Sequence, residues 1–101
     1  MKPTDLIIIA SATAKPGKEK ALENALRDVA APTRAQAGNV QFSLYRKAGS
    51  RQTIIGFERW ASNEAHAKHL QGAHVQRLMA QMADILAEPP SIVAYDVLAE
   101  G

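Results

Sequence analysis

Thr53-Ile54-Ile55-Gly56-Phe57-Glu58-Arg59-Trp60-Ala61-Ser62-Asn63-Glu64-Ala65-His66-Ala67-Lys68-His69-Leu70-Gln71-Gly72-Ala73-His74 carries the chain from one kind of secondary structure to another. Residues 53–60 are rich in β-branched and aromatic side chains and read as a strand. Ser62 follows, a residue type that accepts hydrogen bonds from the first free N–H groups of a helix. Glu64 and the Ala, Leu and His residues beyond it continue that helix, and Gly72 interrupts it. A strand that ends on a large aromatic ring and leads into a histidine-bearing helix makes a pocket wall with a polar tip.

Toward the N-terminus, Leu6 to Ala10 is a continuous apolar run extended by Ser11 to Ala14, which predicts a strand covered on both faces. Pro16-Gly17 ends it. From Lys18 to Gln36, Leu22, Leu26, Val29 and Thr33 recur at helical spacing, with a kink or looser turn expected at Pro32 and a stop at Gly38-Asn39. Val40 to Arg46 alternates, with Val40, Phe42 and Leu44 on one face and Gln41, Ser43 and Tyr45 on the other. Lys47 to Gln52 joins it to the 53–60 strand as a hairpin. There Ile55 and Phe57 share one face, and Ile54, Gly56, Glu58 and Trp60 the opposite one. Beyond Gly72 the helix resumes with Val75, Leu78, Met79, Met82, Ile85 and Leu86 as one apolar stripe. Pro89-Pro90 stops it, and Ile92 to Leu98 is the last predicted strand.

The predicted order, βαββαβ, is the split ferredoxin-like arrangement of an α+β fold, in one domain over residues 1–101. With helices on one sheet face, the other face exposes Ile, Val and Phe side chains, a patch too large for a comfortable monomer. A homodimer through that open face is the expectation.

Apolar residues make up 47% of the chain, much of it alanine, and aromatics only 5%, which suits Ala-lined helices lying close to a sheet. With no cysteine there is no disulfide framework, thiol nucleophile or thiolate metal site. Twelve basic against ten acidic residues leave a net charge of +2 without a long basic run, so no nucleic-acid partner is expected. The N-terminal apolar stretch is too short for a leader core, and nothing approaches a membrane span; a cytoplasmic location with no membrane partner is the expectation. There is no GxGxxG, P-loop or nucleophile elbow, so no cofactor is expected.

His69, on the helix after Trp60, is the first candidate for chemistry: it either transfers protons between helix and sheet or pads the helix and bonds a carbonyl. His74, across Gly72, reads as packing or capping the second helical segment, or as lining a pocket. His66 and His69 have i,i+3 metal-gripping spacing, but no third ligand stands at a matching offset, so no metal is expected and His66 is predicted to face solvent. Glu58, if buried, needs a partner: an Arg or Lys from a second subunit, or a role as catalytic base with raised pKa. Trp60 is either a core or interface anchor or a platform for a flat aromatic ligand. Tyr45 and Ser11 could offer hydroxyls to a pocket or simply be solvated, and Met79 and Met82 read as core filler.

Glu58, Trp60, Ala65 or Ala67, His69-Leu70 and His74 together resemble the signature of the antibiotic biosynthesis monooxygenase family: a Glu-x-Trp/Tyr strand end, an Ala-x-x-His-Leu-like helix and a second histidine five residues on. Upstream, Thr33-Arg34-Ala35-Gln36-Ala37-Gly38-Asn39 resembles the family's Thr-Arg-x-Glu-x-Gly segment. The resemblance implies a dimeric α+β barrel. It also implies oxidation of a phenolic or quinol-type aromatic by molecular oxygen without cofactor, with His69 and Glu58 catalytic and Trp60, Tyr45, Ser11 and His74 around the substrate. Haem-degrading relatives use an Asn on the first strand and a Trp on the second helix. Here Ser11 stands in that region, and the sole Trp ends a strand. A non-catalytic ligand-binding barrel and an isomerase of a small signalling sugar phosphate are the alternatives.

Overall fold

Eight elements follow one another in the computed structural model, which describes residues 5–100: β1 (Leu6–Thr13), α1 (Glu19–Asp28), α2 (Ala30–Arg34), β2 (Asn39–Arg46), β3 (Thr53–Trp60), α3 (Asn63–Gln71), α4 (Ala73–Ile85) and β4 (Ser91–Asp96). The stretch Met1 to Thr4, which entered the reading of the N-terminus, lies outside the described residues. The strands form one antiparallel sheet in the order β2-β3-β1-β4, the ferredoxin-like topology expected from the sequence.

Each predicted helix is divided in two, for different reasons. Pro32 has no N–H to donate and its ring crowds the carbonyl four residues back, at Asp28. The break therefore falls at Val29, not at the proline, and the Val29 N–H tightens onto the Leu26 carbonyl at 3.3 Å. The second division is Gly72, whose extended backbone (φ −65°, ψ 146°) ends α3 and starts α4. Ser62 caps α3 as expected, its hydroxyl accepting from the Ala65 N–H at 3.1 Å. β4 begins one residue before the expected start and ends at Asp96 instead of Leu98. Among the described residues no helix is long and apolar enough to cross a membrane.

The strands' two-residue period sorts the side chains onto two faces. Ile8 opposite Glu58, Ala10 opposite Gly56 and Ala12 opposite Ile54 lie beneath the helices, with Phe42 and Leu44 of β2 beside them. The core there is Ala12, Ala14, Leu22, Ala25, Leu26, Ile54, Met82, Ile85 and Leu86. The opposite face carries Ile9, Ile55 and Phe57, half-buried, and Val93, Tyr95 and Tyr45, exposed. Arg59 also belongs to this face. It is buried, its Nε donating to Asp5 Oδ2 at 3.1 Å and its Nη1 to Glu100 Oε2 at 3.0 Å.

Gly38 sets how the helical layer meets the sheet. Its φ of +86° is left-handed, and a Cβ there would lie 2.5 Å from the Cβ of Ala65 on α3. Glycine lets the chain turn into β2 while touching α3, and its carbonyl accepts from the Ala61 N–H at 2.8 Å. That close approach brings the end of the α2 segment against the histidine helix.

Candidate functional site

Between the sheet and helices α1, α3 and α4 lies a cavity of about 90 Å³. Ala10, Ala12 and Gly56 keep its floor low; Leu26, Phe42, Val75 and Met82 wall it. Leu70, Met79 and Ile92 line it too and are partly exposed, so they mark its mouth. Among the described lining residues the titratable groups are Glu58, His66 and His69, and none is Lys or Arg. The site is apolar with one ionisable end.

That end is built from three elements. Glu58 and Trp60 project from the same face of β3 two residues apart. The Trp60 Nε1–H donates to Glu58 Oε1 at 2.8 Å, and the indole is fully buried. His69, on the inner side of α3, is also buried, its ring centroid 4.7 Å from that of Trp60. His69 Nε2 is 3.7 Å from Glu58 Oε1. On its other side, Nδ1 is 2.7 Å from Gln36 Oε1. An amide oxygen only accepts, so Nδ1 carries the proton and the neutral ring presents a bare Nε2 toward Glu58.

Burial drives the two groups apart. It raises the Glu58 carboxyl above the ordinary range, against a lowering by the Trp60 hydrogen bond. It lowers His69 to about 4, helped by the like charges that His66 and His74 would carry. Desolvation lowers His66 as well. No Arg or Lys among the described residues bridges to Glu58. At neutral pH the imidazole is thus neutral, beside a carboxyl group that burial makes a stronger proton acceptor, the divergence that assigns acid–base roles.

The other sequence candidates are distributed unevenly. His66 is half-buried and lines the cavity, where solvent exposure was expected; its ring lies 6.0 Å from Trp60 and 6.1 Å from His69. The Gly72 break swings α4 so that His74 comes to 5.6 Å from His69, but it stands behind that ring, not on the cavity wall, and nothing described bonds its Nε2. Trp60 also backs His69 and is no lining residue, so it offers no ring face to a ligand. Ser11 borders the cavity, although its strand position points the side chain to the other face. Tyr45 is 55% exposed on the open sheet face and is not brought to the site. Met82 is buried core, while Met79 is exposed at the mouth. Gln36, which touches His69, was not among the sequence candidates for the site. The available signal was its place two residues before Gly38, whose turn presses this segment onto α3.

Among the described residues, no group of three or more His, Cys, Asp or Glu is placed to hold a metal ion. Comparison with known proteins bears on the family and the fold. Residues 5–81 match the family described as antibiotic biosynthesis monooxygenase. The chain is 27% identical to the Bacillus subtilis protein named "Putative monooxygenase YcnE", over 91% of this chain and 97% of that one. It is 33% identical to Rv0793 of Mycobacterium tuberculosis, covering 91% and 87%. In three dimensions it resembles PA3566 of Pseudomonas aeruginosa with a TM-score of 0.90, 32% identity and coverage of 95% and 96%. The Rv0793 structure also gives 0.90, covering 95% and 97%. By sequence match, topology and the Glu58–Trp60–His69 arrangement on which the resemblance first rested, the chain belongs to the antibiotic biosynthesis monooxygenase family.

Proposed function

We propose that the protein is a cofactor-independent monooxygenase that oxidises a phenolic or quinol-type ring with molecular oxygen. The observation that carries this reading is the apolar cavity closed at one end by the Glu58–His69 pair. A hydroxylated ring would place its body among Leu26, Phe42, Val75 and Met82 and its hydroxyl at the polar end. The phenolic proton moves to the Glu58 carboxylate, whose Oε1 lies 3.7 Å from the bare Nε2 of His69. The phenolate left in a dry, weakly polar cavity is a strong electron donor, and binding fixes which carbon meets oxygen. The redox balance closes on the substrate alone. A phenol with a ring C–H para to its hydroxyl plus O₂ gives the quinone plus water, one oxygen atom entering the ring and the other leaving as water.

Gln36 supports this role by holding the His69 ring in the tautomer that leaves Nε2 free. The lack of cationic side chains among the described lining residues counts against a sugar-phosphate substrate, which needs a phosphate clamp. A homodimer through the face bearing Phe57, Val93 and Tyr95 belongs to the same proposal, since that face is otherwise left to water.

The test is oxygen uptake with 1-naphthol in air. The expected result is one O₂ consumed per 1,4-naphthoquinone formed, with at least a tenfold drop in His69→Ala. Binding of naphthol without uptake by the unaltered protein would instead support a ligand-binding barrel.

A further inference from the structure

Position 56 has no conformational reason to be glycine. Gly56 lies in the middle of β3, opposite Ala10 of β1 and Leu44 of β2, and the register shift in this sheet is elsewhere, between Asn39 and Gln41. Glycine inside a strand costs roughly 0.5–1 kcal/mol relative to alanine and usually marks a bulge, a bend, or the close approach of another backbone or a ligand. The glycines with positive φ are Gly17, Gly38 and Gly49. A Cβ at position 56 would meet Leu44 Cδ2 at 3.8 Å and Ala10 Cβ at 3.9 Å, both ordinary contacts. Neither backbone strain nor crowding by the protein excludes a Cβ there.

What glycine contributes is therefore the missing side chain, and the space it leaves opens into the cavity. Ala10 directly across keeps the same stretch of floor low. Glu58 stands two residues further along the same face, about 6.6 Å away by strand rise, a distance that one six-membered ring and its hydroxyl span. We propose that Gly56 and Ala10 form a flat-ring subsite on which the ligand's aromatic face rests, hydroxyl toward Glu58 and His69, and that the size of residue 56 sets the largest ring system admitted. This deepens the reading of the cavity as a phenol site and rests on it.

The experiment measures binding under nitrogen, where nothing turns over, through fluorescence of Trp60, the sole tryptophan. The probes are 1-naphthol and phenol, and the variants Gly56→Ala and Gly56→Val. Both variants are expected to fold, Gly56→Ala with an unchanged or higher melting temperature. Naphthol affinity should fall at least tenfold in Gly56→Val, less in Gly56→Ala, with phenol affected less than naphthol in each. In the unaltered protein, adding 1-naphthol should shift the Gly56 amide and the Ala10 methyl NMR signals, a readout independent of whether the variants fold. Unchanged naphthol affinity in folded variants, shifts that bypass Gly56 and Ala10, or no binding of either probe would overturn the subsite. Gly56-dependent binding without oxygen uptake in air would uphold it while overturning the oxidation itself.

Discussion

Glu58 and Arg59 are neighbours on one strand, both buried charged side chains, and the sheet sends them to opposite faces. Arg59, 1% exposed, has a carboxylate on either side, Asp5 and Glu100, at hydrogen-bonding distance. Glu58 has a neutral indole N–H and an uncharged imidazole 3.7 Å away. Burying an ion costs several kcal/mol unless it is paired, and a carboxyl left unpaired responds by holding its proton more tightly. Arg59 is a structural ion; Glu58 is a titrating one. The difference separates the half of the sheet that holds the chain's ends from the half that holds the cavity.

The sharpest way to break this contrast is to remove Arg59. Arg59→Met removes the buried guanidinium that Asp5 and Glu100 share and should cost about 3 kcal/mol in urea unfolding, while naphthol binding by the folded fraction is preserved. A small loss of stability would mean that the ion pair does not hold the ends.

His69 predicts an acid limb. Its folded pKa of about 4 lies below the ordinary 6.5, so acidification protonates the unfolded chain before the folded one. The stability it contributes is present above pH 6.5 and lost between 6.5 and 4, on the order of 3 kcal/mol in all. His69→Asn should flatten that part of the stability–pH curve; an unchanged slope would assign the limb to other groups.

Glu58 has the opposite sign. Its folded pKa is raised, so its favourable contribution exists below the unfolded carboxyl pKa and disappears as pH rises through the folded value. Glu58→Gln should therefore melt higher than the unaltered protein at neutral pH, where Arg59→Met melts lower. Equal shifts in the same direction would erase the distinction between the two ions.

The smallest effect concerns Gln36. In the unaltered protein, ¹⁵N NMR should find His69 protonated at Nδ1. Gln36→Leu should release the preference and Gln36→Glu should raise the pH at which the ring titrates. An Nε2-protonated ring in the unaltered protein would reverse the assigned roles.

Much of the fold was legible in the sequence because its signals are local. Alternation in 40–46 and 53–60, the Ser62 cap and the Gly72 interruption each act within a few residues. The break at Val29 was displaced from Pro32 because a proline disturbs the carbonyl four residues earlier, not its own position. The site was less legible, since its parts meet through turns. Gln36 reaches His69 only because Gly38 packs on Ala65, and His66 turns inward because α3 lies along the cavity. Tyr45 stands on the open sheet face by strand parity, which its alternation with Phe42 and Leu44 already contained. Trp60 packs against His69 and does not line the cavity, a distinction that needs three dimensions.

The most direct test of the acid–base assignment is the pH dependence of oxygen uptake with 1-naphthol in the unaltered protein and in Glu58→Gln. Activity in the unaltered protein should fall on acidification at a pH above the usual carboxylate range. Glu58→Gln should bind naphthol yet consume oxygen roughly 100-fold more slowly or worse, with that acid limb gone. Oxygen uptake by Glu58→Gln at the unaltered rate, with the same limb, would contradict the claim that Glu58 takes the proton.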